Sequence, residues 1–218
     1  LSKAKFFIDF LKNINWSKRI HSPTAFEFSN ACLYNRKEYY AFDVIEELKE
    51  ELKKNNTAIE FEDLGAGSKV LKTKSRTVKE ILKYSVKHKK YGKLFFKSVL
   101  YLNAKTIVEL GTSLGISTAY FAMADKNAKV VTVEGVKEIA QIAQKNFDKL
   151  NLKKVELIVD NFDNCLEKII EENPSIDILY IDGNHTYEAT LRYFNTLLAS
   201  LHKDSLVIVD DIYWSEDM

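Results

Sequence analysis

Apolar residues recur along this chain at two different spacings, and the change between them divides it. In Lys3–Ile14 the apolar positions Phe6, Phe7, Phe10, Leu11 and Ile14 fall on one face of a helix. Tyr39–Lys54 repeats the pattern through Phe42, Ile45, Leu48 and Leu52, with Glu and Lys on the other faces. Between them His21-Ser22-Pro23-Thr24 reads as a turn into the aromatic segment Phe26–Tyr34, with proline near a helix start. From Lys105 the apolar runs become short and continuous. Strands are expected at Thr106–Leu110, Lys129–Val133, Val155–Val159, Ile176–Ile181 and Ser205–Val209. Helices are expected between them, at Ile116–Ala124, Val136–Leu150, Asp163–Glu172 and Tyr187–Leu201. Five apolar strands alternating with helices imply an α/β fold with a doubly wound parallel sheet covered on both faces. Residues 1–94 are then a helical cap that borders the substrate, and 95–218 the sheet domain.

Composition narrows this picture in a few places. The 218 residues carry a net charge of only +1, which gives the chain as a whole no pull toward an acidic partner. The exception is local: residues 69–93 hold ten Lys or Arg, from Lys69 to Lys93, against Glu80 alone. Such a run is a solvated helix face or, on a sharper reading, a surface for an anionic substrate such as RNA. The two cysteines, Cys32 and Cys165, stand far apart with no CxxC partner, which points to a reducing, cytoplasmic setting and away from structural zinc. No apolar run reaches the roughly 18–20 residues that cross a bilayer, so no membrane partner is expected. The first residue is Leu1, and upstream sequence is expected to precede it.

The candidate chemistry gathers at the carboxyl ends of the strands, where doubly wound sheets bind ligands. Gly111, Gly115, Gly135 and Gly183, four of the seven glycines, lie there. The first strand-to-helix turn reads Glu109-Leu110-Gly111-Thr112-Ser113-Leu114-Gly115-Ile116-Ser117. A dinucleotide fingerprint would be GxGxxG, whereas here the spacing is GxxxG. Glu109 is a poor neighbour for a pyrophosphate and suits an amine-bearing or cationic ligand, such as the amino group and sulfonium of S-adenosylmethionine. Gly111 allows the backbone to approach that ligand, and Thr112, Ser113 and Ser117 offer hydroxyls beside it. Glu134, 23 residues after Gly111, ends the second strand where a carboxylate can accept both ribose hydroxyls. Asp160-Asn161-Phe162 ends the third strand, where amide and aromatic groups can read and cover an adenine.

With these residues in order, the chain resembles the class I S-adenosylmethionine-dependent methyltransferases, whose sheet is Rossmann-like. VELGTSLGIS looks like that superfamily's first motif, VTVEG its second, VDNFD its third and ILYIDGNH its fourth, over roughly residues 105–218. Upstream, HSPTAFEF, DLGAGS and YGKLFFKSVLYL are similar to a bacterial branch of it. Asp182-Gly183-Asn184-His185 and Asp210-Asp211-Ile212-Tyr213-Trp214 further resemble the metal-dependent O-methyltransferases of the catechol and caffeoyl-CoA type. The resemblance implies a divalent cation held by Asp182, Asp210 and Asp211, with Asp211 standing where that family has Asn. Oxygen ligands suit Mg2+, Mn2+ or Ca2+. Such a cation would bind the acceptor hydroxyl and lower its pKa. His185 falls where the family carries a lysine, which gives it and Asp182 the catalytic positions, His185 as a general base or as a hydrogen-bond partner of the aspartates, and Asp182 is also expected among the cofactor-binding residues.

Three features keep alternatives open. Asp63-Leu64-Gly65-Ala66-Gly67-Ser68 looks more like a first motif than the true candidate does, yet basic, helix-like sequence follows it with no second strand. It is read as a glycine turn in the cap. The superfamily's sheet normally continues past the fifth strand with a helix and an antiparallel strand pair, whereas the sequence ends at Met218. The expectation is a piece or a shortened variant, whose bare strand edge leaves a homodimer open. The function expected is O-methylation of a small molecule. An RNA methyltransferase using the basic segment, an inert cofactor-binding scaffold and an NAD-dependent oxidoreductase are the alternatives.

Overall fold

The computed structural model describes residues 22–60, 75–86, 88–213 and 215–218. The helix expected at Lys3–Ile14, the DLGAGS segment, Lys69, Lys72, Lys74, Lys87 and Trp214 lie outside the described residues. The chain divides into two compact units, residues 1–37 and 38–218. The division thus falls well before the boundary expected near residue 94.

In the first unit, Pro23–Phe28 forms helix α1. Pro23 sits in its first turn, and the Ser22 hydroxyl accepts from the Ala25 amide at 3.3 Å. A π-helical turn, Ser29–Leu33, continues it.

The second unit begins with α2, Tyr40–Leu52. Its buried residues Ala41, Phe42, Ile45, Leu48 and Leu52 recur at the spacing of one helical stripe and enter a core shared with the sheet domain. The helices of residues 38–94 thus share one core with the sheet. Two short strands follow, β1 (Ala58–Glu60) and β2 (Ser75–Thr77), paired antiparallel. The second of them interrupts what composition alone reads as a basic helix. Helix α3 (Val78–Ser85) opens on a capping box, in which Glu80 accepts from the Thr77 amide at 2.8 Å and Thr77 Oγ1 accepts from the Glu80 amide at 3.3 Å. Helix α4 (Lys89–Leu102) buries Gly92, Phe95, Phe96 and Val99. The described basic residues of this stretch include Lys83, which lies over the Tyr84 ring, and Lys93, which pairs with Glu38.

The remaining elements alternate as expected: β3 (Thr106–Leu110), α5 (Ile116–Ala122), β4 (Lys129–Glu134), α6 (Lys137–Lys149), β5 (Val155–Val159), α7 (Phe162–Glu172), β6 (Ile176–Ile181), α8 (Tyr187–Leu197) and β7 (Leu201–Val209). The strand order is β5-β4-β3-β6-β7 and every neighbouring pair is parallel. Order reverses at β3, so the crevice between the ends of β3 and β6 is the switch point. Helix α8 stops at Leu197 and gives way to a 3-10 turn, Leu198–Ser200. Strand β7 starts four residues earlier than the apolar run suggests. A register shift against β6 lets out the polar residues between Leu201 and Leu206. The Asp177 carboxylate pins this end of the sheet, accepting from the Lys105 and Thr106 amides at 2.7 and 2.9 Å.

Side-chain alternation gives the sheet two cores. Val108, Leu110, Val131, Leu179 and Ile181 face a cluster with Cys165, Leu166 and Tyr193 from α7 and α8. Ile107, Val130, Ile178 and Tyr180 face the other cluster, with residues of α2, α4 and α5. Three polar residues interrupt this second face. Glu109 is in register with Thr132 on one side and Tyr180 on the other, and all three are fully buried. A polar row therefore runs through the middle of the sheet, under the switch point.

Candidate active site

The turn after β3 is shaped by two glycines. Gly111 has φ +113°, and a Cβ there would lie 2.1 Å from the Asp182 carbonyl oxygen. Gly115 has φ +77°, and its Cβ would meet the Phe147 ring at 2.4 Å. The first glycine lets β3 and β6 end side by side, and the second lets α5 pack against α6. The loop closes with the Gly111 and Thr112 amides donating to the Val133 carbonyl at 3.0 and 3.1 Å.

Beneath this loop the Glu109 carboxylate is built into a hydroxyl chain. Thr118 and Thr132 donate to its Oε2 at 2.5 and 2.7 Å. Thr132 has one proton and spends it there, so the 2.6 Å contact between Thr132 and Thr112 is a donation from Thr112. Thr112 is consequently turned inward, 1% exposed, and its hydroxyl is not the ligand contact expected of it. The other carboxylate oxygen, Oε1, is buried with no hydrogen-bond partner among the described residues. Burial pushes the Glu109 carboxyl up to about 7, against the pull of the Ser117, Thr118 and Thr132 hydroxyls, with the Asp182 charge adding to the rise. An unpaired buried carboxylate oxygen is costly and fits an ammonium group that would complete it. A cleft opens beside it, lined by Gly111, Thr112, Ser113, Ser117 and Asp182, and closed by Val86, Gly92 and Phe95 from α3–α4.

This arrangement predicts a pH-dependent affinity. An ammonium ligand at Glu109 needs the ionised carboxylate, so binding should strengthen as pH rises through about 7. Between pH 6 and 8 the gain expected is about tenfold. The protein without ligand should show the opposite trend: its raised carboxyl favours folding at low pH and loses that contribution as pH rises through the folded value. Calorimetric titration of S-adenosylhomocysteine across this range checks the first trend, and Glu109→Gln should flatten it.

Glu134, at the end of β4, is half-buried. Its Oε2 accepts from the Ser113 amide at 2.8 Å and its Oε1 from the Val136 amide at 3.0 Å. Burial raises its pKa and these amides oppose the rise. Each oxygen keeps a further lone pair for a ribose hydroxyl. At the end of β5, Asp160 Oδ1 accepts from the Asn161 amide and from the Asn164 side chain. Asn161 caps α7, accepting from the Asp163 amide at 3.1 Å, which leaves its NH2 as the group to meet a base. Phe162 does not cover an open site. A Cβ on Gly183 would touch its ring at 2.5 Å, and it packs edge-on against Tyr193 at 5.4 Å. It supports the turn after β6 from below, because the first residue of α7 points into the second core.

The ends of β6 and β7 bring the acids together. The buried Tyr180 hydroxyl lies 2.7 Å from Asp182 Oδ2 and 2.8 Å from Asp210 Oδ2, so one phenolic proton serves two carboxylates. Burial, then the charges of Asp182 and Asp210, hold that phenol protonated. Asp210 Oδ1 accepts from the Asp211 amide at 2.7 Å. Asp182, His185 and Asp211 each offer a donor atom within 4.8 Å of the others, a set whose chemistry fits a divalent cation. Of the expected trio, Asp182 and Asp211 fall in this group with His185, while Asp210 is joined to Asp182 through the shared Tyr180 hydroxyl. Asn184, His185 and Asp211 all have positive φ, 67°, 43° and 51°. Tyr180, Thr118 and Thr132 escaped sequence reasoning, although a tyrosine within an aliphatic strand, two residues before Asp182, was the available signal.

No helix among the described residues is long and apolar enough to cross a membrane. Residues 108–212 match the model of a methyltransferase domain family. Over 116 residues the chain is 28% identical to a protein of Dictyostelium discoideum named "Probable caffeoyl-CoA O-methyltransferase 3", covering 51% of this chain and 45% of that one. Over 112 residues it is 31% identical to a catechol O-methyltransferase of Niastella koreensis, covering 50% of each. The chain therefore spans about half the length of the curated relatives it matches. Among solved structures, the O-methyltransferase TomG of Streptomyces achromogenes, in complex with S-adenosylmethionine, superposes with a TM-score of 0.59 at 19% identity. That match covers 82% of this chain and 68% of TomG, and it shows the fold.

Proposed function

We propose, for a chain that belongs to the class I S-adenosylmethionine-dependent methyltransferases, that it transfers the cofactor's methyl group to an oxygen of a small molecule. The observation that carries this reading is the buried, unpaired Glu109 oxygen beside the switch-point cleft, flanked by Glu134 at the next strand end and by the acids after β6 and β7. Glu109 receives the amino group of the cofactor's methionine portion, and the Ser113 and Ser117 hydroxyls lie beside its carboxylate. Glu134 accepts the ribose hydroxyls, and Asn161 meets the adenine. The sulfonium then lies near Asp182, where negative charge favours the cation.

In the transfer, the bond from sulfur to methyl carbon breaks as the bond from acceptor oxygen to that carbon forms. Sulfur keeps the electron pair, and the acceptor's hydroxyl proton passes to solvent water. Asp182, His185 and Asp211 would hold a divalent cation there, which when bound would supply Lewis acidity toward the acceptor oxygen. Asp182 and Asp211 orient the acceptor from one side, while Phe95 and Val86 close the cleft from the other and exclude water. The relatives' printed names favour a phenolic or catecholic hydroxyl as the acceptor. The test is transfer of labelled methyl from S-adenosylmethionine to a panel of catechols and simple phenols, with Mg2+ or Mn2+ present. Labelled product with a hydroxyl acceptor is the expected result. Labelling of RNA alone would shift the assignment to a nucleic-acid methyltransferase.

A further inference from the structure

We infer that Thr118 and Thr132, with Thr112 behind them, are positioning residues for the cofactor: they close one oxygen of the Glu109 carboxylate and leave the other, Oε1, to take the ammonium group. This inference rests on the reading that Glu109 receives the cofactor's amino group. It adds a property which that reading does not contain, namely that the ligand displaces a proton from the atom it binds.

Strand pairing sets Glu109, Thr132 and Tyr180 in one row, and Thr118 reaches the same carboxylate from α5. Both threonines are fully buried. Their donations to Oε2, at 2.5 and 2.7 Å, fill the two lone pairs of that oxygen. Behind Thr132, the Thr112 hydroxyl donates to it at 2.6 Å, and the Thr112 amide holds the Val133 carbonyl at 3.1 Å. The hydroxyls therefore run in one direction, from the glycine loop through β4 to Oε2. Rotating the carboxylate would break two buried hydrogen bonds, so its orientation is fixed. Oε1 has no hydrogen-bond partner among the described residues.

Protonation obeys the same constraint. A proton on Oε2 would require the chain of hydroxyls to reverse, whereas Oε1 accepts one with every bond kept. Proton and ammonium then compete for a single atom. The surrounding groups do not supply a second acid for that atom. Asp182, at the end of β6, is the charge that acts on Glu109, and Tyr180 on the same strand is held protonated. Glu134, two residues beyond Thr132, turns to the Ser113 and Val136 amides. Helix α5 brings the Ser117 and Thr118 hydroxyls, and α3–α4 bring Val86, Gly92 and Phe95 to the cleft.

The test is calorimetric titration of S-adenosylhomocysteine into the full chain from pH 6 to 9, with EDTA present to remove any cation at Asp182. Two buffers of different ionisation enthalpy read the protons exchanged. The protein is expected to release about one proton per ligand at pH 6 and about a tenth of one at pH 8. Thr118→Val removes a donor to the ionised carboxylate, so the pH midpoint of binding should rise by about one unit. Affinity should fall about fivefold at pH 7 and return to within about twofold of the parent at pH 9. Thr132→Val should shift the midpoint the same way, and Thr132→Ser, which keeps the hydroxyl, should restore it. The denaturant midpoint of each variant checks its fold. A loss equal at every pH with the midpoint unmoved, or Thr132→Ser behaving as Thr132→Val, would show that the threonines only pack. Binding by the parent protein without proton release at pH 6 would overturn the competition at Oε1 without recourse to any variant. If Glu109→Gln also binds as the parent does, the reading of Glu109 as the amino-group acceptor falls with it.

Discussion

Gly111→Ala is expected to destabilise the protein by about 2–6 kcal/mol and to abolish cofactor binding. A non-glycine residue at positive φ carries roughly 1–3 kcal/mol of strain in a conformation it rarely adopts. The added methyl also falls 2.1 Å from the Asp182 carbonyl oxygen, and a backbone carbonyl cannot swing aside as a side chain can. Relief requires β3 and β6 to move apart at their ends, where the Asp182 amide donates to the Leu110 carbonyl at 2.8 Å. Overpacking of that kind costs about 1–3 kcal/mol more. The denaturant midpoint reads the stability loss, and calorimetry with S-adenosylhomocysteine reads the site. Wild-type values for both would mean that the turn does not approach β6 as described.

The second large effect is kinetic. Asp182→Asn is expected to lower methyl transfer by about 10³-fold, the scale of removing one charge-stabilising group at a reacting centre. Cofactor affinity should change by less than about threefold. The substitution keeps the backbone bond to Leu110 and an oxygen for Tyr180, so the fold survives while the charge beside the acceptor is lost. A proportional fall in S-adenosylhomocysteine binding would mean that Asp182 acts through cofactor affinity rather than through the transfer step. An unchanged turnover rate would remove it from the chemistry.

The residues that made the fold legible were those whose role depends on local pattern. The runs Thr106–Leu110 and Ile176–Ile181 are apolar because parallel strands are covered on both faces, so their boundaries could be read without a partner. Helix α2 declared itself through Phe42, Ile45, Leu48 and Leu52, but periodicity does not say what a stripe packs against. Its burial in a core shared with the sheet is a tertiary fact. Strand β2 is three residues inside a lysine-rich stretch, too short and too polar to compete with a helical reading.

The site divides in the same way. Glu109, Gly111 and Glu134 were legible because topology alone brings strand ends to one edge. Side-chain direction was not. Thr112 and Ser113 are equivalent as letters, yet one hydroxyl is spent on Thr132 inside the sheet while the other residue presents its amide to Glu134. Phe162 reads as an aromatic cover for a base, but the first turn of α7 carries its ring into the core beneath Gly183. The bridge that the Tyr180 hydroxyl makes between Asp182 and Asp210 was not legible either, because it forms only when β6 and β7 are paired in this register.

The most direct test of the central claim is calorimetric titration of S-adenosylhomocysteine into the protein and into Glu134→Ala. The account predicts binding by the first and a loss of about 1–3 kcal/mol in the second, as ribose hydroxyls lose their acceptor. Binding of NAD in place of S-adenosylhomocysteine, or equal affinity of both proteins for the homocysteine compound, would contradict it.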